Sequence, residues 1–379
     1  MNLFEHITIE GYRRLFSVQV EMRPLTVMIG ANGVGKTAFL EIFSFLAASA
    51  NGQLNAKFSS LGGLGNIMTL GKANSLAIHL QMNMPDSAPL HYQLKIVPQS
   101  MFYEIAVETL IKQRDHNPLE SFKYIDSYGS NITYYNPHPM RPSWQHNPLE
   151  TSLSQVPKIY EDPEILRQKL ATIMYYGVLN VATGSPIRFP QPMYPTSLPG
   201  SNGESLVSCL YYLRETDPDR FEIIEDTLSA AFPDFERLNF PPVAAGILAM
   251  TWKDKNFSQP LYIHQLSEGT LRFLWLVTLL QSPKLTDVTL IDEPEVSLHP
   301  ELLQLLAHVM REASKRTQLI VATQSDRLIR FLEPKEVLVC DSEDGLTTMT
   351  WADSLDIEHW LADYSLDEIW AMNVIGGRP

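Results

Sequence analysis

Apolar and polar positions change their period several times along the chain, and the changes mark out the elements. Residues 4 to 10 set Phe4, His6 and Thr8 against Glu5, Ile7 and Ile9. Strict alternation is the pattern of a half-buried strand, so this stretch, 16–22 and 25–29 read as three short strands. The period then shifts to 3.6: Phe39, Leu40, Ile42, Phe43, Phe45 and Leu46 fall on a helix from Lys36 to about Ala50, closed by Asn51-Gly52. Alternation and β-branched or aromatic runs return at 75–82, 89–97, 101–110, 122–127 and 132–135, which predicts an antiparallel meander. Residues 136–200 break the pattern. Eleven of the 26 prolines lie there, around one helical stretch from Pro163 to about Tyr176, and the expectation is an irregular, surface-wrapping segment. Two amphipathic helices follow, Glu204 to Arg214 and Asp219 to Ala231, whose stripes read as packing faces. Strand character resumes at 246–253, an apolar helix is expected over Leu271 to Leu280, and Val288–Ile291 is a continuous apolar strand.

Two of these junctions carry chemistry. Between the strand Leu25–Ile29 and the helix at Lys36 lies Gly30-Ala31-Asn32-Gly33-Val34-Gly35-Lys36-Thr37, of the form G-x-x-x-x-G-K-[ST]. Glycines let backbone N–H groups turn around a phosphate, and the helix N-terminus adds positive dipole. Lys36 can reach β/γ oxygens and the Thr37 hydroxyl can ligate Mg²⁺. The loop therefore reads as a nucleoside triphosphate site. The apolar strand at 288 ends in Asp292-Glu293-Pro294-Glu295. Alone, that is an acidic strand-to-loop turn. Beside a phosphate loop, Asp292 suits the Mg²⁺ sphere and Glu293 suits polarising an attacking water. Upstream, Leu266-Ser267-Glu268-Gly269-Thr270 opens the apolar helix; in isolation it is a plain N-cap, and in this order it is a second anion site.

Smaller features stay open at this level. Arg13 or Arg14, in the turn Gly11–Phe16, could stack on a base, contact a phosphate, or simply be solvated. The Gly/Ser-rich stretch Ser59–Asn66 either lines a nucleotide or is a flexible connection. The string His-Asn-Pro-Leu-Glu at His116 and again at His146 has unmatched flanks, so it reads as turn plus helix start rather than a repeat or a metal site.

Composition narrows the class. The 379 residues are 45% hydrophobic and 19% charged, as in globular proteins with a substantial core, and allow two or three domains or one large domain with an insertion. No run approaches about 18 apolar residues, so no membrane span is expected. The N-terminus has no basic-then-apolar leader, and the two distant cysteines, Cys209 and Cys340, read as reduced thiols; a cytoplasmic location is the expectation. A net charge of −14 excludes a surface coated in basic charge, though not a local basic groove.

The ordered set GANGVGKT, LSEGT, VTLIDEPE, VSLHP and TQLIVATQS resembles the ABC-type ATPase heads of the SMC/RecF class, and most of all compact RecF-like bacterial AAA family ATPases without a long coiled coil. The likeness covers most of 1–95 and 235–379, and extends more weakly to 203–240 and the ending Trp370–Pro379. It implies an α/β P-loop NTPase of ABC/RecF type with a mixed sheet and an inserted α+β lobe: head over 1–95, lobe over 96–245, head again over 246–379. It implies ATP and Mg²⁺ as cofactors, with ATP sandwiched between two subunits of a homodimer. By motif, Gly30, Asn32, Gly33, Gly35, Lys36 and Thr37 would bind phosphates and metal, Asp292 would hold Mg²⁺, and Glu293 would be the catalytic carboxylate. Ser267 and Gly269 would contact the partner's ATP, Ser297, His299 and Pro300 would form the loop crossing the interface, and Arg13 would lie near the nucleotide. Two departures stand out. Where the family usually has His, this chain has Gln324, which can hydrogen-bond a phosphate or water but cannot titrate. No glutamine is clearly placed to sense metal and water; Gln81 is the candidate. Without sustained heptads, long DNA-bridging arms are excluded, and about 45 residues after position 334 are too few for a Toprim nuclease. The expected activity is ATP hydrolysis switching a grip on DNA, as in repair, or on an effector protein, as in anti-phage defence. The rival is a non-hydrolysing ATP-bound scaffold that sequesters an effector.

Overall fold

A computed structural model describes residues 3–85, 87–100, 102–114, 117–136 and 138–377. The first strands are β1 (Phe4–Tyr12), β2 (Leu15–Glu21) and β3 (Leu25–Ile29), followed by helix α1 (Lys36–Ala50). A meander follows: β4 (Leu76–Met82), β5 (Leu90–Gln99), β6 (Phe102–Arg114), β7 (Asn117–Tyr128), β8 (Asn131–Asn136) and β9 (His138–Met140). Then come α2 (Glu161–Ala171), the short β10 (Met174–Tyr176), α3 (Leu206–Thr216), α4 (Pro218–Ala231) and α5 (Glu268–Gln281). The chain closes through β11 (Val288–Asp292), α6 (Pro300–Ser314), β12 (Gln318–Ala322), β13 (Val337–Glu343) and β14 (Leu346–Trp351).

Two sheets organise these elements. The six-stranded sheet has the order β10-β11-β12-β3-β13-β14; the first five strands run parallel and β14 is antiparallel, so the sheet is mixed. Its central strands β3, β11 and β12 are mostly apolar and almost wholly buried because both faces are covered there. In β3, Val27 and Ile29 enter one core and Met28 the other; in β12, Leu319 and Val321 oppose Ile320 and Ala322. On one side lie α3 to α6. On the other lies α1, held between this sheet and an eight-stranded antiparallel sheet of order β2-β1-β4-β5-β6-β7-β8-β9. A helix covered on both sides must be apolar nearly all round, and Phe39, Leu40, Ile42, Phe43, Phe45 and Leu46 of α1 are fully buried.

Three local differences from the sequence pattern have physical reasons. Phe4 is buried together with Ile7 and Ile9, because a bulge between Phe4 and His6 resets the alternation. The helix expected to reach Tyr176 stops at Ala171, and Met174–Tyr176 instead pairs as an edge strand with β11. The strand expected over 246–253 is two pieces, Ile247–Leu248 and Thr251–Asp254, in two different three-stranded sheets.

Parts of the stretch expected as a lobe, 96–245, are continuous with the two sheets. Residue 96 lies inside β5, and the meander prolongs the sheet begun by β1 and β4 without a break. Beyond the meander, β10 joins the mixed sheet, and α3 and α4 pack on α5. Segments read as an insertion are thus part of both main layers. In the first copy of the short string, His116 lies outside the described residues, and Asn117–Glu120 open the strand β7 where a turn and helix start were expected.

Candidate functional site

The loop between β3 and α1 is pinned by the β13–β14 hairpin. Gly30 has φ +150°, and a Cβ there would sit 2.3 Å from the Cys340 carbonyl oxygen. At Gly35, φ is +115° and a Cβ would lie 2.5 Å from the Thr347 Oγ1, whose hydroxyl donates to the Val34 carbonyl at 2.6 Å. Both positions need glycine for conformation and for space. Lys36 is buried, and its Nζ donates to the carbonyls of Gly30 (2.6 Å) and Ala31 (2.9 Å). Burial lowers its pKa, against the pull of Cys340, Asp292, Glu293 and Glu295. The next residue makes the decisive link: the Thr37 hydroxyl donates to Asp292 Oδ2 at 3.3 Å, across 255 positions of sequence. Two hard oxygens this close can be neighbouring ligands of one octahedral Mg²⁺, whose bonds of about 2.1 Å set adjacent oxygens about 3 Å apart.

Asp292 ends β11, next to β12 in the parallel sheet, at the carboxyl edge where such sheets place ligands. Glu293 follows with φ +51°, its N–H on the Ala322 carbonyl at 2.8 Å. The Gln324 side-chain amide donates to Glu293 Oε1. Behind them, Glu295 Oε1 accepts the Thr323 hydroxyl at 2.5 Å and the Gln324 N–H at 3.1 Å. Its Oε2 is buried without a hydrogen-bond partner, and burial raises its pKa. Glu295 thereby fixes the loop that presents Gln324.

These groups face a cleft of about 650 Å³ lined by Asn32, Gly33, Gly35, Lys36, Thr37, Asp292, Glu293 and Gln324. Arg13 lies on it. Its φ is +48°, its N–H is on the Ile67 carbonyl at 2.7 Å, and its guanidinium pairs with Glu41 at 2.9 Å. The Tyr12 hydroxyl donates to the same carboxylate at 3.0 Å. Arg14 and Lys72 also line the cleft, as does Asn66, so the Gly/Ser-rich stretch contributes to the wall. Four cations (Arg13, Arg14, Lys36, Lys72) and four carboxylates (Glu41, Asp292, Glu293, Asp344) line the one opening, so groups for an anion and for a metal cation stand side by side. Among the described residues no group of three or more His, Cys, Asp or Glu could hold a metal, so a cation here would depend on Thr37, Asp292 and the anion itself.

Two further results separate the sequence candidates. Gln81 is away from this cleft: its amide donates to Glu5 at 2.8 Å, and it lines another depression with His6, His79 and His91. The group that reaches Asp292 instead is Tyr175, whose hydroxyl donates to Oδ2 at 3.0 Å. Sequence reading missed it by extending a helix across it, although the aromatic pair before Gly177 is a strand signal.

Ser267, Gly269, Ser297 and His299 form a second cluster that does not line the cleft. Ser267 caps α5, its Oγ accepting the Thr270 N–H at 3.1 Å. A Cβ on Gly269 would sit 2.7 Å from the Ser297 carbonyl oxygen, and Ser297 itself has φ +63°. His299 caps α6, with Pro300 at its first position, and its ring is largely exposed. The α5 N-terminus and the turn before α6 are therefore fitted against each other within one chain, outside the lining of that chain's own cleft.

A mixed sheet with this strand order, a phosphate loop entering a buried helix, and a carboxylate pair at the end of the neighbouring strand define a P-loop nucleotide-binding fold of the ABC type. The comparisons specify it further. Residues 178–330 match the family model "AAA domain, putative AbiEii toxin, Type IV TA system", and residues 3–132 match "AAA ATPase domain". No curated protein matches the chain. Among solved structures, an SMC head bound to the C-terminal winged-helix domain of ScpA aligns with TM-score 0.56 at 16% identity, over 92% of this chain and 98% of that one. The SMC head domain from Thermotoga maritima aligns with TM-score 0.51 at 12% identity, again over 92% and 98%. An SMC head with an extended coiled coil, bound to the C-terminal domain of ScpA derived from Pyrococcus furiosus, gives 0.53 at 14%, over 99% of each chain. Two stretches of the chain thus resemble AAA ATPase domains, and the fold is like that of the solved SMC heads.

Proposed function

We propose that the protein binds Mg²⁺–ATP in the cleft at Lys36 and hydrolyses it, as a switch whose ATP-bound form is a homodimer. The observation that carries this is the 3.3 Å approach of the Thr37 hydroxyl to Asp292, with Glu293 next in the chain. The glycine-only turns at Gly30 and Gly35 leave backbone N–H groups for phosphate oxygens, with Asn32 and Gly33 on the same wall. Lys36, now satisfied by two loop carbonyls, would exchange them for phosphate oxygens. Thr37 and Asp292 would hold Mg²⁺, which supplies charge neutralisation at the phosphates. Glu293 would orient and accept a proton from the attacking water, and Gln324 would hold that carboxylate in place. Arg13 would contact the nucleotide after releasing Glu41. Ser267, Gly269, Ser297 and His299, which do not line their own cleft, would complete the site of the second subunit.

Single-turnover hydrolysis tests the enzyme reading. The wild type is expected to turn over, and Glu293→Gln to be slower by about 10²-fold or more; equal inertness of the two would overturn hydrolysis. In that case the second reading, an ATP-bound scaffold, gains ground. It is favoured by one contact, the neutral Gln324 amide on Glu293, which occupies an acceptor atom that water would need.

The partner is DNA or an effector protein. Two of the three solved SMC heads are bound to a ScpA domain, which supports a protein docking on the head, and one matched family model names a toxin of a Type IV TA system, which supports a defence role; repair is the role DNA binding would support. A salt titration of DNA binding separates them: no binding even at low salt assigns the partner to protein. Both cysteines are buried free thiols, and among the described residues no helix is long and apolar enough to cross a membrane. A cytoplasmic location is part of the proposal.

A further inference from the structure

We propose that Tyr175 is a positioning residue for cation capture: its hydroxyl holds the Asp292 carboxylate in the orientation that takes the divalent ion. The inference rests on the Mg²⁺–ATP reading above and concerns how this chain organises that site in the absence of a glutamine from β4. The strand β10 is only three residues long, yet it is in register with the acidic strand, Tyr175 opposite Leu290 and Tyr176 opposite Ile291. Successive residues of a strand face opposite ways. Tyr176 is buried, its ring edge-on to Trp275 of α5 at 5.8 Å, and this anchors the strand in the core. Tyr175 then faces the site, where its hydroxyl donates to Asp292 Oδ2 at 3.0 Å. Its ring is backed by Gly177, where an added Cβ would come within 3.4 Å of Cε1.

Asp292 Oδ2 accepts two donors, Tyr175 and Thr37. The two are not equivalent. A Thr37 hydroxyl that ligates a cation keeps its proton but must turn its oxygen towards the ion, so its donation to Asp292 changes as the ion enters. Tyr175 touches Asp292 from the opposite strand and need not move. It is therefore the donor that keeps the carboxylate aimed while the ion enters. Partners of metal-binding groups set affinity by fixing ligand orientation, with typical costs of 10- to 100-fold when removed.

The test is binding of a fluorescent ATP analogue to the full chain, in EDTA and across a Mg²⁺ titration, for wild type, Tyr175→Phe and Tyr176→Phe. Tyr175→Phe is expected to keep its metal-free affinity within about twofold while the Mg²⁺ concentration giving half the metal-dependent gain rises about tenfold. Tyr176→Phe, on the core side of the same strand, is expected to leave that midpoint unchanged. An unshifted midpoint in Tyr175→Phe, with a normal Mg²⁺ response in the wild type, overturns the role of Tyr175 alone. Equal shifts in both variants also overturn it, since the cause would then be loosening of β10. A wild type that binds no nucleotide, or binds it without regard to Mg²⁺, overturns the underlying reading as well.

Discussion

Glu295 shows how one side chain can set both a site and a pH response. Its Oε1 accepts from Thr323 and from the Gln324 N–H, whereas its Oε2 is buried with no partner. Burial raises its folded-state pKa above the unfolded value. Between those two values the folded state binds more protons than the unfolded one, so this group's contribution to stability falls as pH rises. Glu295→Gln keeps an acceptor oxygen for Thr323 and Gln324 and removes the ionisation. Its melting temperature relative to wild type is expected to climb from about pH 5 to pH 8; a difference that is flat over that range would show that Glu295 ionises at its ordinary pKa. The meeting of Lys36, Thr37, Asp292 and Glu293 on one cleft was legible because these residue types follow a motif. The pair Tyr175-Tyr176 carries a strand signal, but the role of Tyr175 was not legible, because it arises only from the register of β10 on β11.

The helix α5 makes the same point one level up. Its start was readable as a Ser N-cap, and the structure confirms that cap. What periodicity could not convey is the fit of Gly269 against the Ser297 carbonyl, since the two segments are joined only by the tertiary fold. In a helix interior Ala is favoured over Gly by about 1 kcal/mol, so Gly269→Ala would stabilise an isolated α5. Here the added Cβ would meet backbone at 2.7 Å, and either the α5 N-terminus or the turn before α6 must shift. Both lie outside the chain's own cleft, so nucleotide affinity of the variant is expected to stay within about twofold. ATP-dependent self-association is expected to weaken by about tenfold or more, the scale of one misplaced buried contact. Titrating the fluorescent nucleotide and then measuring mass by light scattering separates these effects. Loss of affinity in the monomer would place Gly269 in the cis site instead.

At the scale of the whole molecule, the two layers were legible and their joining was not. The continuous apolar strand at 288 signalled a sheet covered on both faces, and alternation at 75–135 signalled a meander. Alternation has period two in any sheet, so it could not tell that the meander extends the sheet of β1, and the expected boundary at residue 96 falls inside β5. The joined layers have a consequence for assembly. The P-loop side, with Arg13, Lys36, Thr37 and Asp292, and the capped ends of α5 and α6, with Ser267 and His299, are separate surfaces of one rigid mixed sheet and its helices. A bound nucleotide sees only the first set in a monomer. If each subunit offers its second set to the other's nucleotide, a symmetric dimer contains two complete sites, and the association must depend on ATP and end on hydrolysis. Glu293→Gln, which slows hydrolysis while leaving Thr37 and Asp292 intact, is expected to run as a dimer in gel filtration with Mg²⁺–ATP and as a monomer without it. Adding Ser267→Arg replaces a helix cap with a bulky side chain at the proposed contact; the double variant is expected to bind ATP but to remain monomeric. A mass that ignores nucleotide in Glu293→Gln, or a dimer that tolerates Ser267→Arg, would separate nucleotide binding from assembly and leave the α5 terminus without a role in the partner's site.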